Sequence, residues 1–283
     1  MSYLASLLPY GMLLWLGKTL GYLWFFVVRI RRKVVLANLE KGLPYLGKGE
    51  QKKIALGCYC NLCMSAMEFL VLASPGRAGK IISRVDIHGR KILERELGRG
   101  KGVIVVSGHV GNWDLLAVTH AVAGFPVYVV TKALKKRGID RFWHEARSRL
   151  GVNLLADKGS LASLFEVLKA GGILALVVDQ HDPRPSASVV SFLGRKAAAT
   201  SAPAVLALRT GAPVVPVFIN RHNGDRNKSS GHVVTVHEPL NIPESGNFKQ
   251  DVLELTQLIQ QKVEQAVLEN PPDWLWLHRR WKK

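Results

Sequence analysis

Acidic residues are in short supply in this 283-residue sequence: 21 Asp and Glu stand against 39 Lys and Arg, a net charge of +18. That imbalance implies a polyanionic partner, whether nucleic acid, anionic lipid or a phosphorylated substrate. No helix-turn-helix, zinc-finger or RNP-type pattern presents the basic residues to bases, which argues against nucleic acid. Cysteine is scarce too. Cys58, Cys60 and Cys63 form C-x-C-x-x-C, without the paired knuckles of a tetrahedral thiolate site, and His88 is the nearest candidate for a fourth ligand. They read instead as small residues on an apolar helix from Ile54 to Leu72, so no metal is expected, and an odd, clustered set fits a reducing compartment. Internal repeats and low-complexity tracts are missing. With 48% hydrophobic and 21% charged residues, the composition is that of a folded globular chain, long enough to bury a core without staples.

What is there begins with an apolar N-terminus. Met1 to Val28 carries a single charge, Lys18, and then meets the basic run Arg29-Ile30-Arg31-Arg32-Lys33. As a helix, Pro9 to Val28 would extend about 30 Å, the thickness of a hydrocarbon core. No basic residue precedes the apolar run and no A-x-A site follows it, so it does not read as a cleaved signal peptide. The positive-inside rule places the following chain in the cytoplasm. Pro9, Lys18 and the glycines at 11, 17 and 21 leave open a helix lying in the interface rather than crossing it. Of the three basic knots, 29–33, 132–137 and 279–283, two adjoin apolar or Trp-rich segments, which favours an anionic membrane surface. The expected organisation is a membrane anchor with basic flank at 1–33 and an α/β domain at 34–283.

From Lys33 to Ala73 the pattern is helical, broken near Pro44 to Gly49. Strand-like segments follow at Val85–His88, Val103–Val106, Val127–Val130, Ile173–Val178, Val214–Ile219 and Val233–Val236. Helical stretches alternate with them: Arg90–Leu97, Asn112–Ala121, Ile139–Leu150, Ser160–Lys169 and Ala198–Arg209, with a longer amphipathic helix at Phe248–Leu268. That alternation predicts an α/β fold, a largely parallel central sheet flanked by helices, with an N-terminal membrane-associated helix.

The densest chemical signal is Ser107-Gly108-His109-Val110-Gly111-Asn112-Trp113-Asp114, directly after the strand Val103–Val106. Ligand sites of parallel sheets lie at the carboxyl ends of strands. Asn112 is a good N-cap, which puts Asp114 in the first helical turn, from where it is expected to reach back to the His109 ring. A neutral imidazole held by a carboxylate is a good general base. A histidine followed five positions later by an acid means little alone; the strand, the bracketing glycines and the cap give it weight. His120, His144 and His181 lack comparable context and read as ordinary polar residues.

This segment resembles the H-x4-D/E motif of glycerolipid acyltransferases, and more closely the S-G-H-x-G-N-W-D/E form of the lipid A lauroyl/myristoyl acyltransferase family. Asp179-Gln180, Val190 to Gly194 and Ala199-Thr200 are similar to that family's second block. Thr210 to Val217 looks like its following strand, and Pro271 to Lys282 like its C-terminal signature. The resemblance implies transfer of a fatty acyl chain from acyl carrier protein or coenzyme A, as co-substrate rather than cofactor, to a hydroxyl of a phosphorylated lipid A precursor at the cytoplasmic side of the inner membrane. A glycerolipid, aminolipid or glycolipid acceptor, or a non-catalytic lipid binder, stays open. His109 would be the base and Asp114 its orienter, with no acyl-enzyme.

The expected substrate contacts are fewer and softer. Backbone N–H groups at Gly111 and Asn112 are candidate oxyanion donors. Arg147 and Arg149 resemble the family's basic segment near the site, where an arginine fork suits a phosphate. The family often has arginine where this chain has Lys132, so charge survives without the fork. Asp179 ends a buried strand, a position at which polar groups serve sites. Arg195 follows Gly194 near the expected start of a helix, where anions are favoured. The Trp-x-Trp and Arg-Arg-Trp of the C-terminus suit a lipid interface or a packed tail.

Overall fold

The computed structural model describes residues 2–157, 161–222 and 231–282. The chain opens with α1 (Ser2–Leu7) and α2 (Tyr10–Leu23), which runs into a π-helical turn at Trp24–Val28; α3 (Arg32–Gly42), α4 (Lys48–Leu72) and α5 (Gly79–Ile82) follow. Strands and helices then alternate: β1 (Val85–His88), α6 (Arg90–Leu97), β2 (Val103–Ser107), α7 (Trp113–Val122), β3 (Val127–Thr131), α8 (Arg137–Arg149), β4 (Asn153–Ala156), α9 (Leu161–Lys169) and β5 (Ile173–Val177). The hairpin β6 (Ser188–Phe192) and β7 (Arg195–Ala199) leads to α10 (Ala202–Thr210), β8 (Val214–His222), β9 (Gly231–Val236) and α11 (Phe248–Glu269). Ser160, the expected start of α9, lies outside the described residues, as does Lys283.

Seven strands form one sheet in the order β1-β9-β8-β2-β5-β3-β4, with β8 and β9 its one antiparallel pair among the described residues. The expected α/β fold with a largely parallel sheet is what forms. β2 lies at its centre and is buried throughout, which is why it reads as an unbroken apolar run. Its alternate side chains serve two cores. Ile104 and Val106 pack with α10, α11 and the C-terminal tail. Val103 and Val105 pack with Leu115 and Val118 of α7 and Ala146 of α8.

The N-terminal glycines have a packing role. A Cβ at Gly21 would sit 2.5 Å from Cys60 Cα, and one at Gly17 2.7 Å from Met64 Cα, so α2 lies against α4 as closely as backbones allow. Tyr10, Leu13 and Phe25 turn inward, while Trp15, Leu23, Val27 and Val28 of the same segment are exposed. Tyr10–Val28 and Lys48–Leu72 are both long and apolar enough to cross a membrane, but half of the α4 window is buried in the protein, against 22% for the N-terminal one. The cysteines belong to this packing: Cys60 meets Gly21, and the Cys58 thiol donates to the Trp274 carbonyl at 3.1 Å. The basic run is partly consumed as well. Arg29 and Arg31 adopt left-handed backbone conformations, and Arg31 Nη1 donates to the Leu277 carbonyl at 2.9 Å.

In the second half of the chain one expectation fails, and of the two readings of the C-terminal signature the packed tail is the one that forms. Residues 188–199 form a hairpin rather than the approach to a helix, and α10 starts four residues later than the Ala198 expected. The C-terminal signature is a packed tail: Trp274, Trp276 and Arg280 are buried. Arg280 donates to the carbonyls of Gln180 and Ala198 and to Gln260 Oε1, so its guanidinium serves the fold and not lipid phosphate.

Candidate active site

His109 and Asp179 come together through strand register. β2 and β5 are parallel neighbours with Ser107 opposite Val177, so the residues two positions beyond each strand face one another at the carboxyl edge. There His109 Nδ1 lies 2.7 Å from Asp179 Oδ1, and the His109 backbone N–H donates to Oδ2 at 2.9 Å. The Trp274 indole N–H donates to the same Oδ2 at 2.7 Å. Burial pushes the Asp179 carboxyl up, but the adjoining imidazole and these donors hold it down at about 2. Burial pulls the His109 imidazole down, and the charge and hydrogen bond of Asp179 outweigh that, so its pKa ends raised. A carboxylate on Nδ1 fixes the proton there and leaves the Nε2 lone pair free in the neutral ring. Nε2 sits 3.4 Å from the Gln180 side-chain nitrogen.

The expectation that Asp114 orients His109 is therefore corrected. Asp114 sits in the first turn of α7 and faces α8, where it accepts from Arg147 Nε at 2.7 Å and lies 2.5 Å from Arg147 Nη2. The Trp143 indole adds a longer contact of 3.3 Å. The motif acid thus holds an arginine, and the imidazole is flanked instead by Trp113, whose ring meets it edge-on at 4.9 Å.

The turn itself is clamped from outside. Gly111 has φ +61°, and a Cβ there would fall 2.1 Å from the Ile219 carbonyl oxygen, so only glycine fits. Its N–H donates to the Asp273 carbonyl, and the Leu275 N–H donates to the His109 carbonyl, both at 3.0 Å. The Gly111 N–H is consequently spent and is not an oxyanion donor. Asn112 caps α7 as expected, accepting from the Leu115 N–H at 3.1 Å. Its amide donates to Glu68 at 2.9 Å, which leaves no side-chain atom for substrate and corrects its placement among the binding residues.

Glu68 carries no sequence signal, since a lone glutamate on an apolar helix belongs to no motif. It is fully buried and accepts from Arg221 through both guanidinium arms at 2.8 Å, from Tyr10 at 2.7 Å and from Asn112. His232 Nε2 lies 2.9 Å away. One carboxylate joins α2, the sheet and the N-cap of α7.

Of the basic candidates, Arg147 lines the cavity described next. Lys132 is exposed one residue past β3, on the same sheet edge as His109, and Arg149 is exposed at the end of α8, outside that lining. Arg195 opens strand β7, not a helix, and its Nε donates to the Lys41 carbonyl at 2.8 Å. The anion-binding reading at a helix start therefore has no helix to rest on. The tail adds His278, whose Nε2 accepts from the His181 N–H at 3.0 Å; burial holds its pKa down at about 4, so it is neutral.

A narrow cavity of about 70 Å3 runs between α7 and one face of the sheet. Ser107, Trp113, Asp114, Arg147 and Val177 line it near the carboxyl edge of the sheet that holds His109. Ala117 and Ala175, small and only half-buried, line its middle.

The sequence model of bacterial lipid A biosynthesis acyltransferases matches residues 2–283. The lipid A biosynthesis lauroyltransferase of Escherichia coli is 27% identical over 99% of this chain and 88% of its own length. The lipid A biosynthesis palmitoleoyltransferase of the same organism is 23% identical over 97% and 86%. A phosphatidylinositol mannoside acyltransferase of Mycolicibacterium smegmatis is 28% identical over 73% of the chain and 64% of its own. Matched from one end to the other, and carrying a buried histidine–aspartate pair at the carboxyl edge of its sheet, the chain belongs to the bacterial lipid A biosynthesis acyltransferase family and is an acyltransferase.

Proposed function

We propose that this acyltransferase moves a fatty acyl chain from a carrier-protein or coenzyme A thioester to a hydroxyl of a phosphorylated lipid A precursor. The carrying observation is the pairing of His109 with Asp179 beside an apolar cavity whose rim holds Arg147. His109 Nε2 takes the proton of the acceptor hydroxyl as its oxygen attacks the thioester carbonyl. Asp179 keeps Nδ1 protonated and stabilises the imidazolium that forms. The tetrahedral oxyanion collapses, the carbon–sulfur bond breaks, and the leaving thiolate takes the proton back from the imidazolium. The new ester and a free thiol balance the reaction without an acyl-enzyme. Arg147, held in place by Asp114, supplies positive charge where the oxyanion or an acceptor phosphate lies.

The enzyme would meet its acceptor at the inner membrane from the cytoplasmic side. Because α2 is packed on α4 by Gly17 and Gly21, we place its exposed apolar face in the bilayer interface, where Trp15 is suited to headgroup depth. Lys33 and Lys132 leave positive charge for anionic lipid or an acidic carrier. The mycobacterial relative, named for a mannoside acceptor, supports a second reading in which the acceptor is another glycolipid. Incubating purified protein with acyl carrier protein and coenzyme A thioesters, and with either a lipid A precursor or a phosphatidylinositol mannoside, separates the readings by product mass. Acylated lipid A precursor is expected; acylation of the mannoside alone would favour the second reading, and no transfer to either lipid would overturn both.

A further inference from the structure

The segment that follows β5 is fixed residue by residue. The Val178 N–H donates to the Ser107 carbonyl at 3.0 Å, and the Val178 carbonyl accepts from Gln260 Nε2 at 2.9 Å. Asp179 is held by His109 and by the Trp274 indole. The Gln180 carbonyl accepts from Arg280 Nη1 at 3.2 Å, and the His181 N–H donates to His278 Nε2 at 3.0 Å. The Gln180 side chain rises from this rigid stretch into the open: the residue is exposed, and its amide nitrogen lies 3.4 Å from His109 Nε2.

That contact caps the lone pair of the base. With Asp179 on Nδ1 the neutral ring accepts at Nε2, and at 3.4 Å the amide N–H is a weak partner there. The acceptor hydroxyl must take the same lone pair, at roughly 2.8 Å. The amide is then displaced, with its N–H free beside the carbon under attack. The tetrahedral oxyanion forms on that carbon and needs donors already in place, and the Gly111 N–H is spent on Asp273. Charge points the same way. Arg280 is buried; burial lowers its pKa only to about 10, so it stays a cation near neutral pH. It donates to the carbonyls of Gln180 and Ala198 and to Gln260 Oε1, neutral oxygens all. Asp179 acts on it from a distance, but the imidazolium matches that carboxylate once the proton is taken. The oxyanion is then the negative charge left to balance a buried cation.

We propose that the Gln180 amide is an oxyanion donor of the reaction. It caps His109 Nε2 in the empty site, yields that place to the acceptor hydroxyl, and turns its N–H to the thioester carbonyl oxygen as negative charge forms there. This rests on the reading of His109 as the base of acyl transfer. No bond to Gln180 forms or breaks; the amide only donates. Arg147 is then left for the acceptor phosphate.

The test is steady-state kinetics on the full-length protein with coenzyme A and carrier-protein thioesters, and with whichever of a lipid A precursor or a phosphatidylinositol mannoside the wild type acylates. Gln180→Ala should lower kcat at least tenfold, on the scale of roughly 10²–10³ for one oxyanion donor, with both KM values within about twofold of wild type. Its melting temperature should stay within a few degrees, because the side chain is exposed. Gln180→Glu keeps the size but puts an acceptor where the donor was. Its kcat should fall at least as far, and its negative charge beside Nε2 favours the imidazolium, so kcat/KM should climb at higher pH than in wild type. A kcat for Gln180→Ala less than tenfold below wild type overturns the proposal, since the amide would then only cap the resting base. So does a loss that falls on the lipid KM at unchanged kcat, which would make Gln180 a lipid-binding group. A wild type that transfers to neither lipid would instead sink the acyl-transfer reading of His109, so the two failures are distinguishable.

Discussion

His109 Nδ1 meets Asp179, 70 residues further along the chain, at 2.7 Å, while Asp114, five residues away, is held by Arg147. Two carboxylates near one imidazole thus have separate tasks, and substitution should separate them. Asp179→Asn leaves the shape of the contact but allows the wrong tautomer, and kcat should fall roughly 10²–10⁴-fold, as for loss of the base itself in His109→Ala. Asp114→Asn releases Arg147 and should raise the KM for the thioester or the lipid by more than it changes the ring's ionisation. Steady-state kinetics on the three variants check this; an Asp179→Asn enzyme with near-normal kcat would refute the assignment.

The pH dependence follows from the same pair. His109 acts as base only when neutral, and its pKa is raised by Asp179 against the pull of burial. The kcat/KM profile should therefore be low at acid pH and climb through an apparent pKa above the ordinary 6.5 of histidine. Removing the charge in Asp179→Asn takes away the raising influence, so the residual activity should climb at lower pH than in wild type. A limb that stays where it was would mean that another group titrates.

Register explains what could be read from the sequence and what could not. The Ser107 to Asp114 segment announces a site because its strand, glycine and cap signals are local, and the central strands are legible as apolar runs. Asp179 was visible as a polar residue at a strand end, but its pairing with His109 needs the knowledge that β2 and β5 are neighbours, which no single sequence states. Local spacing favoured Asp114 instead, five residues away and on the adjacent helix. The β6–β7 hairpin was missed because Ala197 to Ala199 reads as helix by composition, and cross-strand pairing overrides that propensity.

Glu68 offers a prediction about stability. It is buried with Arg221, whose side chain is 7% exposed, and both guanidinium arms depend on it. Glu68→Ala would leave that charge uncompensated, at a cost of about 3–5 kcal/mol. Chemical denaturation should register the loss directly. Tyr10→Phe removes one donor among several and should cost only about 1 kcal/mol. Comparable midpoints for Glu68→Ala and wild type would show that Arg221 finds solvent or another partner.

The N-terminal helix gives the last test, because its packing and its exposed apolar side chains fall on opposite faces. Gly21 leaves no room for a Cβ, whose nearest atoms would be the Cys60 backbone at 2.5 and 2.7 Å. Gly21→Leu must push α2 off α4, an overpacking that typically costs about 1–3 kcal/mol. The exposed side responds differently. Trp15 is 67% exposed and Val27 70%, so exchanging both for Ser should leave the folded domain's melting temperature within a few degrees. Vesicle binding should weaken in that variant, since each removes apolar area from the bilayer contact. The two variants should thus separate in co-sedimentation with anionic vesicles: Gly21→Leu melts earlier yet keeps its exposed apolar side chains, and Trp15→Ser with Val27→Ser stays stable yet binds more weakly. If the double serine variant pelleted with vesicles as wild type does, the exposed apolar face of α2 would not be the membrane contact.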